Sequence, residues 1–388
     1  MKICVVCSYG IDNPGGVWNH VLNLTQQLKK KKIKYILVTP ESKKNTYDRN
    51  NHYKIGKTFK INSAGSKANI TLSPFINKQV KSLISNYKPD IMHIHEPFAG
   101  SLPMSFLLNS QSKNIATFHS NQGTNLYKFG LSKIFKPLDK KLHARIAVSK
   151  TAKNFINTYF ENTYEIIPNG INEDFYKKSS LISKITDEKL NIIFIGRNDR
   201  RKGLKILINT LEKHIFNFSI RLIILGNKIT NLKINNIEII NPGFVNENTK
   251  AKYLQSSDIL CAPSLEKESF GIILLEGMAS NTAVIASDIA GYNEIITNNV
   301  NGILIKPNNT NQLAQAIKKL HDDKNQKQKL ITNGNSYIKN LNWDNISDKI
   351  INIYKNTLNN KEITHYWIII KYREINWSYI LMNYYILR

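Results

Sequence analysis

The feature that most constrains the fold is an alternation of short apolar runs with helical patterns along most of the chain. Short apolar runs are typical of strands that are buried on both faces of a parallel sheet, and the helices between them supply the crossover connections. The first series of predicted strands covers residues 3–7, 33–39, 91–94, 115–118, 145–148 and 164–167. The second series covers residues 191–196, 221–225, 237–240, 259–262, 283–286 and 302–305.

Helical patterns fill the gaps in both series, at residues 17–30, 75–87, 150–160, 202–213, 247–256, 271–280 and 312–321. Two such series predict an α/β protein with two doubly wound, Rossmann-like domains. Ligands of open α/β sheets bind beyond the carboxyl ends of the strands. Two facing sheets would therefore form an interdomain cleft with one substrate on each side.

A turn cluster, Pro168-Asn169-Gly170, ends the first series and sets the predicted domain boundary. We expect a first domain at 1–170, a second domain at 171–342, a C-terminal helix at 343–360 and a tail at 361–388. The tail is rich in Tyr, Trp and Ile. Its composition fits an interfacial membrane segment and a terminal extension packed on the protein equally well.

The composition is that of a soluble globular protein, with 41% hydrophobic and 21% charged residues among 388. No apolar run approaches the ~20 residues of a spanning helix, and the first residues lack the pattern of a signal peptide, so we expect a cytoplasmic protein. A strand would point Cys4 and Cys7 to opposite faces. We therefore interpret these two and Cys261 as buried thiols rather than as a metal or disulfide pair.

The net charge of +26 is unevenly distributed. Residues 1–170 carry 25 Lys and Arg against 8 Asp and Glu, a surplus of +17, while the remainder carries 29 against 20, a surplus of +9. The first half is thus the candidate surface for an anionic partner, such as acidic lipid or a phosphorylated substrate. The alternative explanation for the basic residues is nucleotide bias in the genome. Such a bias explains the high total charge better than it explains the uneven distribution of charge between the two halves.

The most informative motif is a pair of carboxylates, Glu268 and Glu276, eight residues apart. Between them lie the loop Ser269-Phe270-Gly271 and the start of an apolar helix at Ile272. A glycine at a helix N-terminus lets backbone N–H groups approach a ligand closely, and this end of a helix favours negative charge. Carboxylates on either side suit sugar and ribose hydroxyls, so the motif indicates a nucleotide sugar.

A basic loop follows the first strand of the second series and contains Arg197, Arg201 and Lys202. Arg197 and Lys202 supply the positive charge that stabilises a leaving diphosphate, the arginine in bidentate fashion and the lysine as a point charge. A solvated basic loop without such a role is the alternative. Gly15 and Gly16 occupy the equivalent strand–helix junction of the first series, where an amide can contact a phosphate or a sugar.

Three histidines, His93, His95 and His119, end adjacent predicted strands of the first series. No further ligand set is evident beside them, so we predict no metal site. Hydrogen bonding to a substrate or to the loop is the preferred interpretation, and His119 is the candidate for contacting the transferred sugar. The chain has no P-loop, no Ser-His-Asp order, no EF-hand and no GxGxxG after its first strand.

Taken together, these residues resemble retaining glycosyltransferases of family 4, which have the GT-B architecture of two facing Rossmann-like domains. The resemblance covers residues 1 to about 358. It rests on the glutamate pair with its Ser-Phe-Gly loop, the basic loop, the glycine pair and the segments His93-Ile94-His95-Glu96-Pro97 and Ile167-Pro168-Asn169-Gly170. Within the family, the closest likeness is to enzymes that move mannose from GDP-mannose to the inositol ring of phosphatidylinositol.

The resemblance implies a set of site residues. The catalytic residues would be His119, Glu268, Arg197 and Lys202. The donor would be bound by Gly16, Arg197, Arg201, Lys202, Val245, Asn246, Glu247, Lys250, Glu268, Ser269, Phe270, Gly271, Ile272 and Glu276. The acceptor would be bound by Tyr9, Trp18, Ser63, Ala64 and Asn69.

The acceptor side departs from the family pattern at two positions. Trp18 stands where a glutamine near the inositol is expected, and Asn69 where an arginine for the lipid phosphate is expected. The helix at 75–87 is expected to lie on the membrane and carries only two lysines, Lys78 and Lys81. The resemblance implies peripheral association with the inner face of the cell membrane through an anionic phospholipid. It implies no tightly bound cofactor, although a divalent cation such as Mg²⁺ can assist.

Two rival functions follow from the same residues. A family-4 enzyme that uses another nucleotide sugar, such as UDP-glucose, for glycolipid or polysaccharide synthesis would keep the fold and change the substrates. The net charge of +26 also suggests a second rival, a nucleic-acid-binding protein. No RNA-recognition, zinc-finger or helix-turn-helix pattern supports it, so nucleic acid is not an expected partner.

Overall fold

The computed structural model describes residues 1–11, 15–42, 48, 50–63, 66–121, 132–197, 199–226 and 228–360. The chain forms two compact units. The first comprises Met1–Pro168 together with the segment that begins at Trp343, and the second comprises Asn169–Asn342. Each unit is built around one parallel sheet.

The sheet of the first unit has seven strands in the order β3-β2-β1-β6-β7-β8-β9, all paired in parallel. Their bounds are β1 (Lys2–Cys7), β2 (Lys34–Thr39), β3 (His52–Lys54), β6 (Ile91–His95), β7 (Lys113–Phe118), β8 (Ala144–Ala147) and β9 (Glu165–Ile166). A separate antiparallel hairpin consists of β4 (Thr58–Ser63) and β5 (Ser66–Thr71). The strand order reverses between β1 and β6, which is where ligands of doubly wound sheets bind.

The helices that connect these strands are α1 (Gly16–Lys30), α2 (Asn77–Tyr87), α3 (Ser101–Asn109), α4 (Ser132–Asp139) and α5 (Lys150–Asn157). Helix α3 was not predicted. Its residues from Ser101 to Leu107 are all buried. A helix buried on every side lacks the amphipathic period by which helices are found in a sequence.

The sheet of the second unit has six strands in the order β12-β11-β10-β13-β14-β15. Their bounds are β10 (Leu190–Gly196), β11 (Ile220–Gly226), β12 (Ile237–Gly243), β13 (Ile259–Ala262), β14 (Ala283–Ser287) and β15 (Ile303–Ile305). The helices are α6 (Glu173–Lys177), α7 (Leu204–Lys213), α8 (Glu247–Gln255), α9 (Ile272–Ala279), α10 (Ala290–Asn293), α11 (Thr310–Asp322) and α12 (Lys324–Ile338). Here the order reverses between β10 and β13.

Apolar side chains from the strands and helices form the core of the second unit. Ile192, Phe194 and Leu222 are among its buried strand residues, and Leu207 and Ile317 pack on them from α7 and α11. Each fully buried side chain of this size contributes roughly 1.5–3 kcal/mol relative to exposure. The core therefore holds the carboxyl ends of the central strands in fixed positions.

The last helix, α13 (Trp343–Asn359), belongs to the first unit. Lys30 and Lys31 at the end of α1 form ion pairs with Asp344 and Asp348, at 2.8 and 2.7 Å. The buried Tyr354 hydroxyl lies 2.6 Å from Nδ1 of His93 on β6. The chain thus returns to its first sheet after it has completed the second.

The predicted two-domain α/β fold is confirmed, and the bounds of each predicted strand agree with an observed one to within two residues, except that β12 ends three residues later than predicted, at Gly243. Three helix starts differ by two residues, and one of them is that of α11, which is predicted from residue 312 and begins at Thr310. The helix predicted from residue 75 begins at Asn77, because Pro74–Ile76 form a 3-10 turn capped by Ser73. The helix predicted from residue 202 begins at Leu204, after Gly203. Within the described residues, no helix is both long and apolar enough to cross a bilayer.

Candidate functional site

Most of the expected donor residues lie on three loops of the second unit, which follow β10, β12 and β13. All three loops leave the carboxyl edge of the sheet. Strands β10 and β13 are neighbours and flank the reversal of strand order. The fold therefore places these loops where an open α/β sheet binds its ligand.

The loops after β10 and β13 are in direct contact at Gly203. Its φ is +73°, and a Cβ there would lie 1.8 Å from the carbonyl oxygen of Pro263. Only glycine allows both this conformation and this approach. The contact brings Lys202 beside Glu268, and Lys202 Nζ donates to Glu268 Oε1 at 2.7 Å. Both side chains remain partly exposed, so the pair faces solvent at the edge of the site.

Two further glycines shape the loop that carries Glu268. Gly271 has a φ of +93° and caps α9, and a Cβ there would lie 2.7 Å from the ring of Tyr292. A Cβ on Gly291 would lie 2.0 Å from the carbonyl oxygen of Glu268. The first backbone N–H groups of α9 have no partner within the helix. The tight packing thus fixes these N–H groups and the Glu268 carboxylate as neighbouring groups, which suits an anion beside a polyol.

The second carboxylate, Glu276, is buried in α9 and held by a lysine. Lys250 Nζ on α8 donates to Glu276 Oε1 at 2.8 Å and also pairs with Glu247 at 2.8 Å. Burial raises the pKa of Glu276, and Lys250 opposes that rise. The Tyr176 hydroxyl donates to the same carboxylate. Glu276 is therefore an oriented acceptor for hydroxyl groups.

The other predicted donor residues have more varied positions. Arg201 is engaged by Asp199, with Nη2 and Oδ2 2.6 Å apart, whereas Arg197 has an exposed side chain just beyond β10. Asn246 caps α8, since its Oδ1 accepts from the backbone N–H of Thr249 at 2.8 Å. Val245 is half-buried beside it. Among the described donor residues, the structure thus forms two groups. Lys202 pairs with Glu268, and Lys250 pairs with both Glu247 and Glu276.

In the first unit, a cluster of buried histidines lies at the carboxyl ends of β6 and β7. Nδ1 of His95 lies 3.0 Å from Nε2 of His119. His93 is bonded to Tyr354 and, through Nε2, to Thr117 Oγ1 at 2.7 Å. His20, on α1, packs its ring 4.9 Å from that of His119, centroid to centroid. Sequence reasoning missed His20 because its position on an amphipathic helix indicates only a core residue.

Burial favours the neutral form of His93, His95 and His119. It lowers the pKa of His93 to about 3, and it lowers the pKa of both His95 and His119 well below the ordinary value, with neighbouring histidines adding to the effect. A neutral imidazole offers one donor and one acceptor nitrogen. At neutral pH the cluster can therefore bind a hydroxyl group without contributing charge.

Glu96 is a second residue that the sequence did not single out. Its Oε1 accepts from the backbone N–H of His119 at 2.6 Å and from that of Ser120 at 2.9 Å. Glu96 has a φ of +55°, which is uncommon for a residue with a side chain. Burial raises its pKa, and the two backbone N–H groups oppose that rise. The carboxylate fixes the loop that presents His119.

The expected acceptor residues are only partly described. The backbone N–H of Gly10, next to Tyr9, donates to the carbonyl oxygen of Asn69 at 3.1 Å, so the loop after β1 meets β5. Within the described part of the chain, Oδ1 of Asn69 is buried without a hydrogen-bond partner. Trp18 is buried, with its ring 6.5 Å from that of His52. Ser63 ends β4, and Ala64 lies outside the described residues, as does the tail at 361–388.

Gly16 begins α1, and Gly15 before it is fully extended. Both glycines are exposed, and a Cβ on Gly15 would meet no atom of the described residues within 4 Å. Open space before the first turn of a helix of 15 residues leaves its N–H groups accessible. This is the arrangement expected of a helix end that contacts a phosphate or a sugar.

Comparison with known proteins agrees with the geometry of both units. Residues 14–175 match the model described as Glycosyltransferase Family 4, and residues 176–337 match the model described as Glycosyl transferases group 1. Phosphatidyl-myo-inositol mannosyltransferase of Mycolicibacterium smegmatis is 30% identical over 92% of this chain and 94% of its own length. The protein of that name from Mycobacterium tuberculosis is 27% identical over 92% and 97%.

Solved structures show the same fold at lower sequence identity. A glycosyltransferase from Rickettsia africae has a TM-score of 0.73 at 23% identity and covers 92% of this chain and 99% of its own. HepE from Anabaena, in complex with UDP and glucose, has a TM-score of 0.74 at 17% identity and covers 92% and 100%. The chain therefore belongs to glycosyltransferase family 4, and it is a glycosyltransferase with the GT-B fold.

Proposed function

We propose that this enzyme transfers mannose from GDP-mannose to the inositol ring of phosphatidylinositol, with retention of the anomeric configuration. The observation that carries the proposal is the contact between Lys202 and Glu268 in the loop before α9, together with the pair of Lys250 and Glu276. These are a cation for a diphosphate and two oriented carboxylates for hydroxyl groups. The names of the two mannosyltransferases that align over nearly all of the chain support the choice of mannose and inositol lipid.

On the donor side, Lys202, Arg197 and the N–H groups of α9 bind the diphosphate, and Gly16 supplies a further amide. Glu268 accepts hydrogen bonds from the mannose, and Glu276 accepts them from the ribose. Lys202 now donates to Glu268, and on donor binding it shifts its hydrogen bonding towards the diphosphate. These charges stabilise the leaving GDP more than the intact donor, because the negative charge grows as the bond breaks.

On the acceptor side, His119 contacts the mannose, and Tyr9 and Asn69 face the inositol. The buried and unpartnered Oδ1 of Asn69 supports this role, since it is available for a hydroxyl group. Glu96 is not suited to be a covalent nucleophile, because its carboxylate already accepts from the backbone N–H groups of His119 and Ser120. This favours a front-face route, in which the inositol hydroxyl enters on the side from which GDP leaves.

The lipid acceptor places the enzyme at the inner face of the cell membrane. Phe75 is 88% exposed and stands directly before α2, whose Lys78 and Lys81 are also exposed. An exposed aromatic ring beside two cations suits the headgroup level of an anionic bilayer. The surplus of basic residues in the first 170 positions adds long-range attraction to the same surface.

UDP-glucose is the alternative donor, because HepE, which shares the fold, was solved with UDP and glucose. The test is incubation of the purified enzyme with phosphatidylinositol vesicles and, separately, GDP-mannose or UDP-glucose, followed by mass spectrometry of the lipid. We expect one hexose on phosphatidylinositol from GDP-mannose alone. Product from UDP-glucose alone would replace the proposed donor, and the absence of product from both would remove the proposed reaction.

Two variants test the site itself. Lys202→Ala should lower kcat by about 10²–10³-fold, as expected for removal of a group that stabilises developing charge. Glu268→Gln should lower kcat and leave the fold intact. Glu266→Gln is the matched control, because Glu266 lies in the same loop but is exposed and forms an ion pair with the exposed Lys267. Equal losses in Glu268→Gln and Glu266→Gln would contradict the role of Glu268.

A further inference from the structure

Three buried imidazoles of the first unit converge from three separate elements. His20 comes from α1, His95 from the end of β6 and His119 from the loop after β7. Each offers a ring nitrogen that lies within 4.8 Å of those of the other two. All three side chains are at most 7% exposed. Such convergence of ligand-type nitrogens is uncommon in a core whose other buried side chains are mostly apolar.

The spacing of the rings suits a metal ion between them. The three ring centroids are 4.9, 5.3 and 5.3 Å apart, so a point equidistant from them lies about 3 Å from each. A Zn–N bond of about 2.0–2.1 Å, with the ring nitrogen about 1 Å from the ring centre, gives the same distance of about 3 Å. Binding requires the rings of His95 and His119 to turn inward, which exchanges their mutual hydrogen bond for two metal bonds.

The hydrogen bonding of the histidine cluster is incomplete. Within the described residues, Nε2 of His95 is buried without a hydrogen-bond partner. A buried orphan nitrogen costs about 1–3 kcal/mol. The cluster is thus incompletely satisfied as a hydrogen-bond network.

We infer that His20, His95 and His119 form a binding site for one imidazole-preferring transition-metal ion, such as Zn²⁺ or Co²⁺. Three histidines with an open fourth position are a known catalytic type of zinc coordination. Mg²⁺ and Ca²⁺ prefer oxygen ligands and do not fit this set. The sequence predicted no metal here because it showed only the histidines of the strand ends, and the third ligand comes from α1.

The surroundings hold the ligands in place, as a metal site requires. Glu96 fixes the backbone of His119. The buried Ser8 hydroxyl lies 2.6 Å from the carbonyl oxygen of His95 and 2.8 Å from that of Glu96. The ring of Trp343 packs against that of His20, with centroids 5.1 Å apart. Each ligand is therefore supported by a neighbour that does not itself bind the ion.

A bound metal ion also has a consequence for transfer, which rests on the proposed role of His119. An ion that takes the lone pair of His119 withdraws this ring from the mannose. Zn²⁺ should therefore inhibit the transferase in a saturable manner. Metal binding and inhibition are separate observations, so the site can be tested whether or not the proposed reaction is correct.

The test uses the full chain, stripped of metal, and Co²⁺ as the probe. We expect one Co²⁺ per chain by equilibrium dialysis and an intense visible absorption band of low-coordinate Co²⁺, with Zn²⁺ displacing it. His20→Gln should weaken the affinity at least tenfold, because loss of a ligand should cost at least as much as loss of an outer-shell partner. Circular dichroism of each variant confirms that it is folded.

His321→Gln is the matched control, since His321 is a partly exposed histidine of the second unit, stacked on Phe218. His119→Gln provides a second folded ligand variant. Absence of stoichiometric Co²⁺ binding would overturn the inference. So would binding that survives both His20→Gln and His119→Gln or that is lost in His321→Gln, and the cluster would then be a hydrogen-bonded network of histidines only.

Discussion

The two units place different chemistry at equivalent positions of their sheets. At the strand-order reversal of the first unit, the buried polar groups are neutral imidazoles, led by His93, His95 and His119. At the reversal of the second unit the polar groups form ion pairs, the partly exposed Lys202 with Glu268, and Lys250 with the buried Glu276. One topology thus supports a site of neutral imidazoles, with the Glu96 carboxylate hydrogen-bonded to backbone N–H groups, and another that balances charge against charge.

The difference corresponds to the proposed substrates. A diphosphate needs cations that are held in place before it arrives, and carboxylates keep those cations oriented until then. A hexose and an inositol hydroxyl need donors and acceptors without net charge, which neutral histidines provide. In the proposed reaction, the unit with paired charges would be the one that binds the anionic diphosphate.

The largest predicted effect is a loss of stability of the first unit in acid. An ordinary histidine titrates at about 6.5, and His93 does so at about 3 in the folded protein. Stability is therefore complete above pH 6.5 and is lost as the pH falls towards 3, because the unfolded state binds the proton first. His93 alone accounts for roughly 4–5 kcal/mol over this range.

Tryptophan fluorescence measures this effect selectively, because none of the four tryptophans of the chain lies within Asn169–Asn342. The urea midpoint of the fluorescence transition should decrease when the pH is lowered from 7 to 5. The protection of backbone amides in β10 to β15 against hydrogen exchange should change little. His93→Gln should reduce the pH dependence. Equal loss of protection in both units would contradict the contrast between them.

The second effect concerns the buried pair of the second unit. Lys250→Met leaves Glu276 buried without its cation, and removal of one partner of a buried pair costs about 3–5 kcal/mol. The double variant Lys250→Met with Glu276→Leu should recover most of that loss, because no buried charge remains unpaired and Glu247, the other partner of Lys250, is exposed. Hydrogen exchange in α8 and α9 is the measurement. A double variant no more stable than the single one would show that the pair is not the source of the effect.

The third effect separates positioning from binding in the first unit. Glu96→Ala removes the acceptor for the backbone N–H groups of His119 and Ser120 and should lower kcat about tenfold, or about 1.4 kcal/mol. Glu96→Gln keeps one acceptor oxygen and should restore part of the rate. The KM for the donor should change little in either variant. A change in KM alone would indicate that Glu96 acts on donor binding instead.

The smallest effect is at the surface. Reversing Lys78 and Lys81 to Glu should weaken binding to vesicles that contain acidic lipid, each lost cation removing about 1 kcal/mol. Lys324→Glu with Lys329→Glu is the matched control, since both lysines are exposed on α12 of the second unit. Flotation of each pair of variants gives the comparison. Equal losses would indicate a response to total charge rather than to α2.

Much of the fold could be predicted because its strands are apolar and separate, as at Ile192 and Leu222. The donor motif could be predicted because Glu268, Gly271 and Glu276 are close in sequence and near one helix end. Helix α3 could not be predicted from the sequence, since a helix buried on every side lacks an amphipathic period. The roles of His20 and Glu96 could not be predicted, because each depends on contacts with residues that are distant in sequence and that only the folded sheet brings together.

The return of α13 to the first unit has a consequence for biosynthesis. A nascent chain that has reached Asn342 already contains every residue of the second unit, whereas the first still lacks the helix that supplies Tyr354 to His93. On the ribosome, the later half of the polypeptide can thus mature before the earlier half. The amino-terminal sheet must wait, with Nδ1 of His93 unmatched, until α13 has been synthesised.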